Sequence, residues 1–202
     1  MTVKIAVLVS GRGSNLQAII NSIEKRHIKN AAINVVISNR SDAYALERAK
    51  KYGIDAVFLD PGEYDKEGFD RAILDVLKRY DIGLLLLAGY FRLLGNEIIE
   101  AYRYRIMNIH PSLLPAFKGL HAQRQAFEYR VKVAGCTVHF VDEGLDSGPI
   151  ILQRCVPVLP DDTEEILTAR ILEQEHIIYP EAVRLFVEGK LKIEGRNVVL
   201  LN

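Results

Sequence analysis

The hydrophobic pattern of the first half of the chain alternates between short aliphatic runs and amphipathic segments. Continuous aliphatic runs bounded by turn residues predict buried strands, and apolar residues spaced three and four apart predict helices. The predicted strands cover residues 3–9, 33–37, 56–59 and 82–87, and the predicted helices cover residues 15–25, 44–51 and 66–80. Such alternation is typical of a parallel sheet with right-handed crossovers.

The second half follows a different pattern. A short strand over 106–109 runs into His110 and Pro111, and a loop over 112–121 and a short helix over 123–129 come next. The remaining predicted elements are a hairpin (133–141 and 150–158), a long helix (163–188) and a closing hairpin (190–201). The predicted fold class is α/β: an open, mostly parallel twisted sheet with helices on both faces. Its N-terminal half is Rossmann-like, and its C-terminal half carries an antiparallel hairpin and a long helix.

Composition narrows the class of protein. The 202 residues are 49% hydrophobic, and 26 basic residues balance 26 acidic ones. This zero net charge excludes a nucleic-acid partner bound by bulk charge, and the aliphatic content excludes a disordered chain. Without an internal repeat or a linker, residues 1–202 are expected to form a single domain.

Targeting signals and metal motifs are not found in the sequence. No secretory signal opens the chain, and the longest apolar stretch, 82–91, is half of a membrane span, so we expect a cytoplasmic protein without a membrane partner. The histidines show no metal-ligand spacing, which predicts no metal site. Cys136 and Cys155 are expected to be reduced and buried, and a symmetric hairpin would place them opposite each other.

The first candidate site is the cradle loop, residues 10–15, with the sequence Ser-Gly-Arg-Gly-Ser-Asn between the first strand and the first helix. Glycines let a backbone approach a phosphate closely, and a helix start offers N–H groups and a positive dipole end. Because Leu16 stands where a dinucleotide fingerprint needs a third glycine, a phosphate monoester fits better than NAD. The alternative is a plain tight turn in which Ser14 caps the helix.

The second and third candidates are a strand end and an acidic loop. Alternation places Asn108 and His110 on the same side of a strand end, where an amide and an imidazole can donate to a developing oxyanion. The acidic loop, residues 142–149, can supply a carboxylate that favours the charged form of an imidazole. The alternatives are a structural histidine and a solvated hairpin tip. His139 is expected to pack or to hydrogen-bond within the hairpin.

These segments together resemble one family, the glycinamide ribonucleotide transformylases. The resemblance is carried by four stretches: Val-Ser-Gly-Arg-Gly-Ser-Asn-Leu (9–16), Leu-Ala-Gly-Tyr-Phe-Arg-Leu-Leu (87–94), Asn-Ile-His-Pro-Ser-Leu-Leu-Pro (108–115) and the acidic loop with the five residues before it. The resemblance implies transfer of a formyl group from 10-formyltetrahydrofolate, a co-substrate, to the amine of glycinamide ribonucleotide. It implies a phosphate-binding half, 1–105, and a catalytic and folate-binding half, 106–202, in a monomer or weak homodimer.

The resemblance also implies residue roles. Asn108, His110 and Asp146 would be catalytic: the first two would donate to the oxyanion, and Asp146 would hold His110 cationic. The substrate phosphate and ribose would contact Gly13, Ser14, Asn15 and Glu175. The folate would contact Asn108 and Asp146 and a larger set of neighbours: Lys66, Phe91, Arg92, Leu93, Leu94, Val141, Asp142, Glu143, Gly144 and Leu145.

Three positions depart from the pattern of the family: Lys66, Lys118 and Leu172. Lys66 stands where some members of the family have an arginine. Its single ammonium group cannot make the two parallel hydrogen bonds to a carboxylate that a guanidinium makes. Two alternatives stay open, a formyltetrahydrofolate hydrolase that uses water in place of the amine, and a folate- or phosphosugar-binding module without catalysis.

Overall fold

The computed structural model describes residues 2–201, which form nine strands and six α-helices. The strands are β1 (Val3–Val9), β2 (Ala31–Ser38), β3 (Asp55–Phe58), β4 (Leu84–Leu87), β5 (Ile106–His110), β6 (Val133–Phe140), β7 (Ile150–Pro157), β8 (Leu191–Glu194) and β9 (Asn197–Leu200). The helices are α1 (Ser14–Glu24), α2 (Tyr44–Lys51), α3 (Lys66–Arg79), α4 (Asn96–Ala101), α5 (Ala122–Glu128) and α6 (Glu164–Val187). The chain divides into two compact units, the first ending at Asn108 and the second beginning at Ile109.

The first unit is built on a parallel sheet with the strand order β3-β2-β1-β4-β5. β1 is central, and its residues Ile5–Val9 are completely buried. Burying an aliphatic side chain of this size stabilises a fold by roughly 1.5–3 kcal/mol. Because β2 lies on one side of β1 and β4 on the other, the winding of the chain reverses at β1, and ligands bind at the carboxyl ends of strands at such a point.

Helix α3 shows how the local sequence forms these elements. The Asp65 side chain caps the helix by accepting the Gly68 N–H at 2.7 Å. Phe69, Ile73 and Leu77 form its buried face. Lys78 and Arg79 stand in the last turn, where positive charge is favoured by the helix dipole.

The second unit contains the end of β5, the antiparallel pair β6–β7, the hairpin β8–β9 and the long helix α6. Thr163 caps α6 by accepting the Ile166 N–H at 3.3 Å. The helix buries a face that includes Leu167 and Ile171 and packs against β6 and β7. Pro180 inside the helix removes one backbone hydrogen bond there.

The structure confirms the predicted fold class, with strands and helices close to their expected bounds. The short helix α4 was not predicted. Within residues 2–201, no helix combines the length and the apolar character that a membrane span requires.

The expectation for the two cysteines is correct in part: both thiols are free and Cys136 is buried, but Cys155 is exposed and the two do not face each other. Cys136 pairs with Arg154, and Cys155 pairs with Gly135, so the two cysteines are offset by one residue in the hairpin. A shift of one residue moves a side chain to the other face of a sheet. Cys136 is therefore buried whereas Cys155 is exposed, and both are free thiols.

Candidate active site

The cradle loop is tied to the carboxyl ends of neighbouring strands through Ser10. The Ser10 hydroxyl donates to Asn39 Oδ1 at 2.6 Å and accepts the Phe91 N–H at 3.1 Å. The Ser10 N–H donates to the Gly89 carbonyl oxygen at 2.9 Å. Asn39 follows β2, and Gly89 and Phe91 follow β4, so one serine connects the ends of three adjacent strands.

Gly13 gives the cradle loop its shape. It has φ +70° and is the N-cap of α1, and no side chain caps this helix. Ser14 is therefore the first helical residue, and the alternative in which Ser14 caps the helix is not what is observed. A Cβ on Gly13 would lie 2.7 Å from Ala45 Cβ, and α2 contacts the loop further through the Ala45 N–H, which donates to the Gly11 carbonyl at 3.1 Å. The start of a helix presents N–H groups and a positive dipole end to an anion.

His110 and Asp146 come together in the second unit. His110 is the last residue of β5 and is 5% exposed. Its Nδ1 lies 3.4 Å from Asp146 Oδ2, and its Nε2 lies 2.9 Å from the Phe117 carbonyl oxygen. Because a carbonyl oxygen only accepts, Nε2 carries a proton and donates it. Both ring nitrogens thus have a partner in this structure.

Asp146 has two further neighbours. Its Oδ2 accepts the Gly119 N–H at 2.8 Å, and its Oδ1 lies 3.8 Å from His139 Nε2. Burial lowers the pKa of His139, and its Nδ1 lies 2.8 Å from the Phe140 carbonyl, so the neutral ring holds its proton on Nδ1. Nε2 of that neutral ring has no proton to donate to the carboxylate, which leaves His110 as the ring that can share a proton with Asp146.

The acidic loop is shaped by its own contacts. Asp142 Oδ1 accepts the Ser147 hydroxyl at 2.5 Å and the Gly144 N–H at 3.2 Å. A Cβ on Gly148 would overlap the Phe140 carbonyl oxygen, so only glycine allows this close approach. Asp146 itself has φ +44°, a conformation that the surrounding contacts must maintain.

Arg196, in the turn of the β8–β9 hairpin, also holds the acidic loop. Its Nη2 donates to the Ser147 carbonyl oxygen at 2.7 Å. Arg196 is exposed, and sequence reasoning did not single it out. No spacing signal connects it to a loop 49 residues earlier.

The residues expected to bind folate occupy two separate segments of the chain. In the first unit Lys66 starts α3, and the Arg92 guanidinium lies 4.9 Å above the Phe69 ring. Phe91 and Leu93 are 68% and 70% exposed and Leu94 is half-buried, so this stretch offers apolar surface beside a cation. In the second unit Val141 and Asp142 are half-buried and Glu143, Gly144 and Leu145 are exposed.

The remaining expected residues lie on regular elements. Asn108 lies on β5 two positions before His110, and strand alternation places both on one side of that strand. Asn15 is buried in the first turn of α1. Glu175 is buried on α6. The pKa of the Cys136 thiol rises to about 12, chiefly because the thiol is buried and secondly because the Glu175 charge acts on it.

In residues 2–201 no group of three or more His, Cys, Asp or Glu side chains is arranged to hold a metal ion.

Sequence reasoning also missed other groups of the site. The Phe117 carbonyl and the Gly119 N–H act through the backbone, which the identity of a residue does not report. Asp70, by contrast, had a visible signal, because this acidic residue stands at helical spacing among the apolar residues of α3.

The fold is of the α/β class, and the His110–Asp146 pair lies at the end of one of its strands. The chain belongs to the formyl transferase family, whose sequence pattern matches residues 3–183. Phosphoribosylglycinamide formyltransferase of Escherichia coli (strain K12) is 44% identical over 190 residues, which cover 94% of this chain and 89% of that protein.

Solved structures show the same similarity. Glycinamide ribonucleotide transformylase 1 from Symbiobacterium toebii superposes with a TM-score of 0.97 at 55% identity, over 100% of this chain and 95% of that one. A formyltetrahydrofolate deformylase from Pseudomonas syringae pv. tomato shares the fold, with a TM-score of 0.94 at 24% identity, over 100% of this chain and 67% of that one.

Proposed function

We propose that this chain transfers the formyl group of 10-formyltetrahydrofolate to the primary amine of N1-(5-phospho-D-ribosyl)glycinamide, in the synthesis of purines. The carrying observation is the His110–Asp146 pair, in a chain that is 44% identical to E. coli phosphoribosylglycinamide formyltransferase. In this proposal, residues 1–105 bind the phosphate and residues 106–202 carry the catalytic groups of one formyltransferase domain.

The binding roles follow from the chemistry of each segment. The cradle loop, through Gly13, Ser14 and Asn15, takes the phosphate dianion, and Glu175 accepts hydrogen bonds from the ribose or the amide. The exposed apolar residues Phe91 and Leu93, with Leu94, contact the folate rings. The Lys66 ammonium and the Arg92 guanidinium meet its glutamate carboxylates. The backbone of Arg92 and of residues 141–146 contacts the pteridine.

The reaction then proceeds through a tetrahedral centre. The amine nitrogen forms a bond to the formyl carbon, and the formyl oxygen becomes an oxyanion, to which Asn108 and His110 donate. His110 Nε2 donates to the Phe117 carbonyl in this structure and exchanges that acceptor for the oxyanion. The C=O bond then re-forms, and the bond from carbon to N10 of the folate breaks. N10 takes a proton from His110, which Asp146 orients, and the proton that the amine loses returns to His110, each directly or through a water, so that no proton is gained or lost overall.

The test is a spectrophotometric deformylation assay with a 10-formyl folate analogue, with and without glycinamide ribonucleotide. Deformylation that requires the nucleotide supports the proposal. Release of formate at equal rates without the nucleotide identifies a hydrolase, and folate binding without turnover identifies a binding module; either result contradicts the proposal.

A further inference from the structure

A buried carboxylate lies on α3, away from the groups that the proposed reaction uses. Asp70 is 7% exposed and stands beside Phe69 and Ile73 on the packed face of the helix. Its carboxylate accepts the N–H of Gly95, the residue that precedes α4. A Cβ on Gly95 would overlap Asp70 Oδ2, so the backbone approaches the carboxylate as closely as only a glycine allows.

Two cations and one anion lie close enough to Asp70 to act on its charge. The cations are Lys66, one turn earlier on α3, and Arg92, and the anion is Glu97 on α4. Glu97 has a cation of its own, because its carboxylate lies 3.6 Å from the Arg71 guanidinium. Lys66 and Arg92 thus favour the ionised form of Asp70, and Glu97 disfavours it.

The segment 92–95 is therefore held to α3 at both ends by consecutive residues. Phe69 lies under the Arg92 guanidinium, and Asp70 binds the Gly95 N–H. Arg92 itself is exposed, so its position depends on these contacts beneath it.

Burying an acidic group at position 70 carries a cost. Burial raises the pKa of Asp70, which means that the surroundings disfavour its ionised form. A neutral side chain such as an amide would accept the Gly95 N–H without that penalty. An acidic residue in contact with the segment that carries Arg92 points to a use beyond folding.

We propose that Asp70 is a positioning residue that orients Lys66 and Arg92 as a pair of cations for the glutamate carboxylates of the folate co-substrate. The inference rests on the proposed function. Two cations held by one buried anion keep their geometry before the ligand arrives, so less ordering is needed when it binds.

The experiment measures direct binding of two folate analogues by the full chain. One analogue has a free glutamate, and in the other a neutral amide replaces the glutamate. We expect Asp70→Asn to weaken binding of the glutamate analogue about tenfold, as for loss of one charge-assisted contact, and to change binding of the neutral analogue less than twofold. The matched control is Asp75→Asn, an exposed acid on the same helix, which we expect to change neither affinity.

Two further measurements separate positioning from loss of structure. Asp70→Ser, which is smaller and also neutral, should likewise weaken binding of the glutamate analogue and leave binding of the neutral analogue nearly unchanged. In a protein that already carries Arg92→Gln, Asp70→Asn should weaken binding of the glutamate analogue less than threefold, because one cation through which Asp70 acts is gone. In turnover, KM for the folate should rise while kcat and KM for the nucleotide stay within twofold.

Equal weakening for both analogues, or tighter binding of the glutamate analogue by Asp70→Asn, would overturn the inference alone. The second result would mean that Asp70 competes with the glutamate for the cations. If the unsubstituted protein bound neither analogue, the proposed function would fail, and the inference with it.

Discussion

The cradle loop of the first unit is made of main-chain groups, whereas the His110–Asp146 pair of the second unit is made of side chains that main-chain groups hold in place. In the cradle loop, the groups proposed to bind phosphate are at Gly13 and the start of α1, and side chains such as Ser10 hold the loop. At the pair, the Phe117 carbonyl and the Gly119 N–H contact the side chains that are proposed to perform the chemistry. An anion that must only be held suits fixed backbone dipoles, and a proton that must move needs titratable groups.

This difference predicts that side-chain substitutions act most strongly at the pair and at Asn108, two positions before His110 on β5. We expect Asp146→Ala and Asn108→Ala each to lower kcat about 10²–10³-fold, as removal of one donor or its orienting group typically does. Steady-state kinetics would measure the loss, and circular dichroism would show that the fold is intact. The exposed acid Asp161, changed to Ala, is the control in the unit that contains Asp146. Near-normal turnover of either variant would remove that residue from the mechanism.

The cradle loop should instead be sensitive to backbone shape. Gly13→Ala forces a Cβ onto a residue with φ +70° and into Ala45, so we expect a loss of about 1–2 kcal/mol of unfolding free energy and a raised KM for the nucleotide. Urea unfolding and kinetics at varied nucleotide concentration would measure both. Gly11→Ala is the matched control for stability, since nothing lies within 4 Å of its added Cβ. Equal stability of the two variants would contradict the account of the loop.

The same difference between side chains and main-chain groups separates what the sequence predicted from what it did not. Aliphatic runs predicted β1 and β4 because a parallel strand buried on both faces tolerates no polar break. Asn108, His110 and Asp146 could be proposed from the sequence because amide, imidazole and carboxylate side chains are the groups that such chemistry needs. The register of the hairpin pairs Cys155 with Gly135 and leaves Cys155 exposed, and no residue type signals this register. The Phe117 carbonyl contact is missed for the same reason, since every residue has a carbonyl.

The neutral state of His139 predicts a pH dependence of stability. Burial lowers the pKa of His139 in the folded protein, while in the unfolded chain it is about 6.5. Below about pH 6.5 the unfolded chain binds this proton more readily, so stability is complete above that pH and falls as the pH decreases, by at most about 1.4 kcal/mol per pH unit. Burial also lowers the pKa of His176, so this residue contributes to the pH dependence with the same sign.

Urea unfolding at several pH values between 5 and 8 would measure this dependence. The variant His139→Gln should reduce the slope below pH 6.5, and the exposed His27, changed to Gln, should leave it unchanged. An unchanged slope in His139→Gln would show that this ring is not the proton-sensitive group.

The smallest effect is expected at Arg196, which supports the acidic loop from outside. Its hydrogen bond to the Ser147 carbonyl is exposed, and such bonds contribute about 0.5–1.5 kcal/mol. We expect Arg196→Ala to lower kcat about two- to fivefold without changing KM for the nucleotide. Lys192→Ala, an exposed cation in the same hairpin, is the control. A change in nucleotide KM with constant kcat would contradict a role in holding the loop.

The central claim is that the pair transfers a formyl group to an amine that the cradle loop holds by its phosphate. The most direct measurement follows a ¹³C-labelled formyl carbon from 10-formyltetrahydrofolate by NMR in the presence of glycinamide ribonucleotide. The account predicts that the label appears as the N-formyl product, in an amount equal to the folate consumed. Label recovered as formate, with or without the nucleotide, would contradict it.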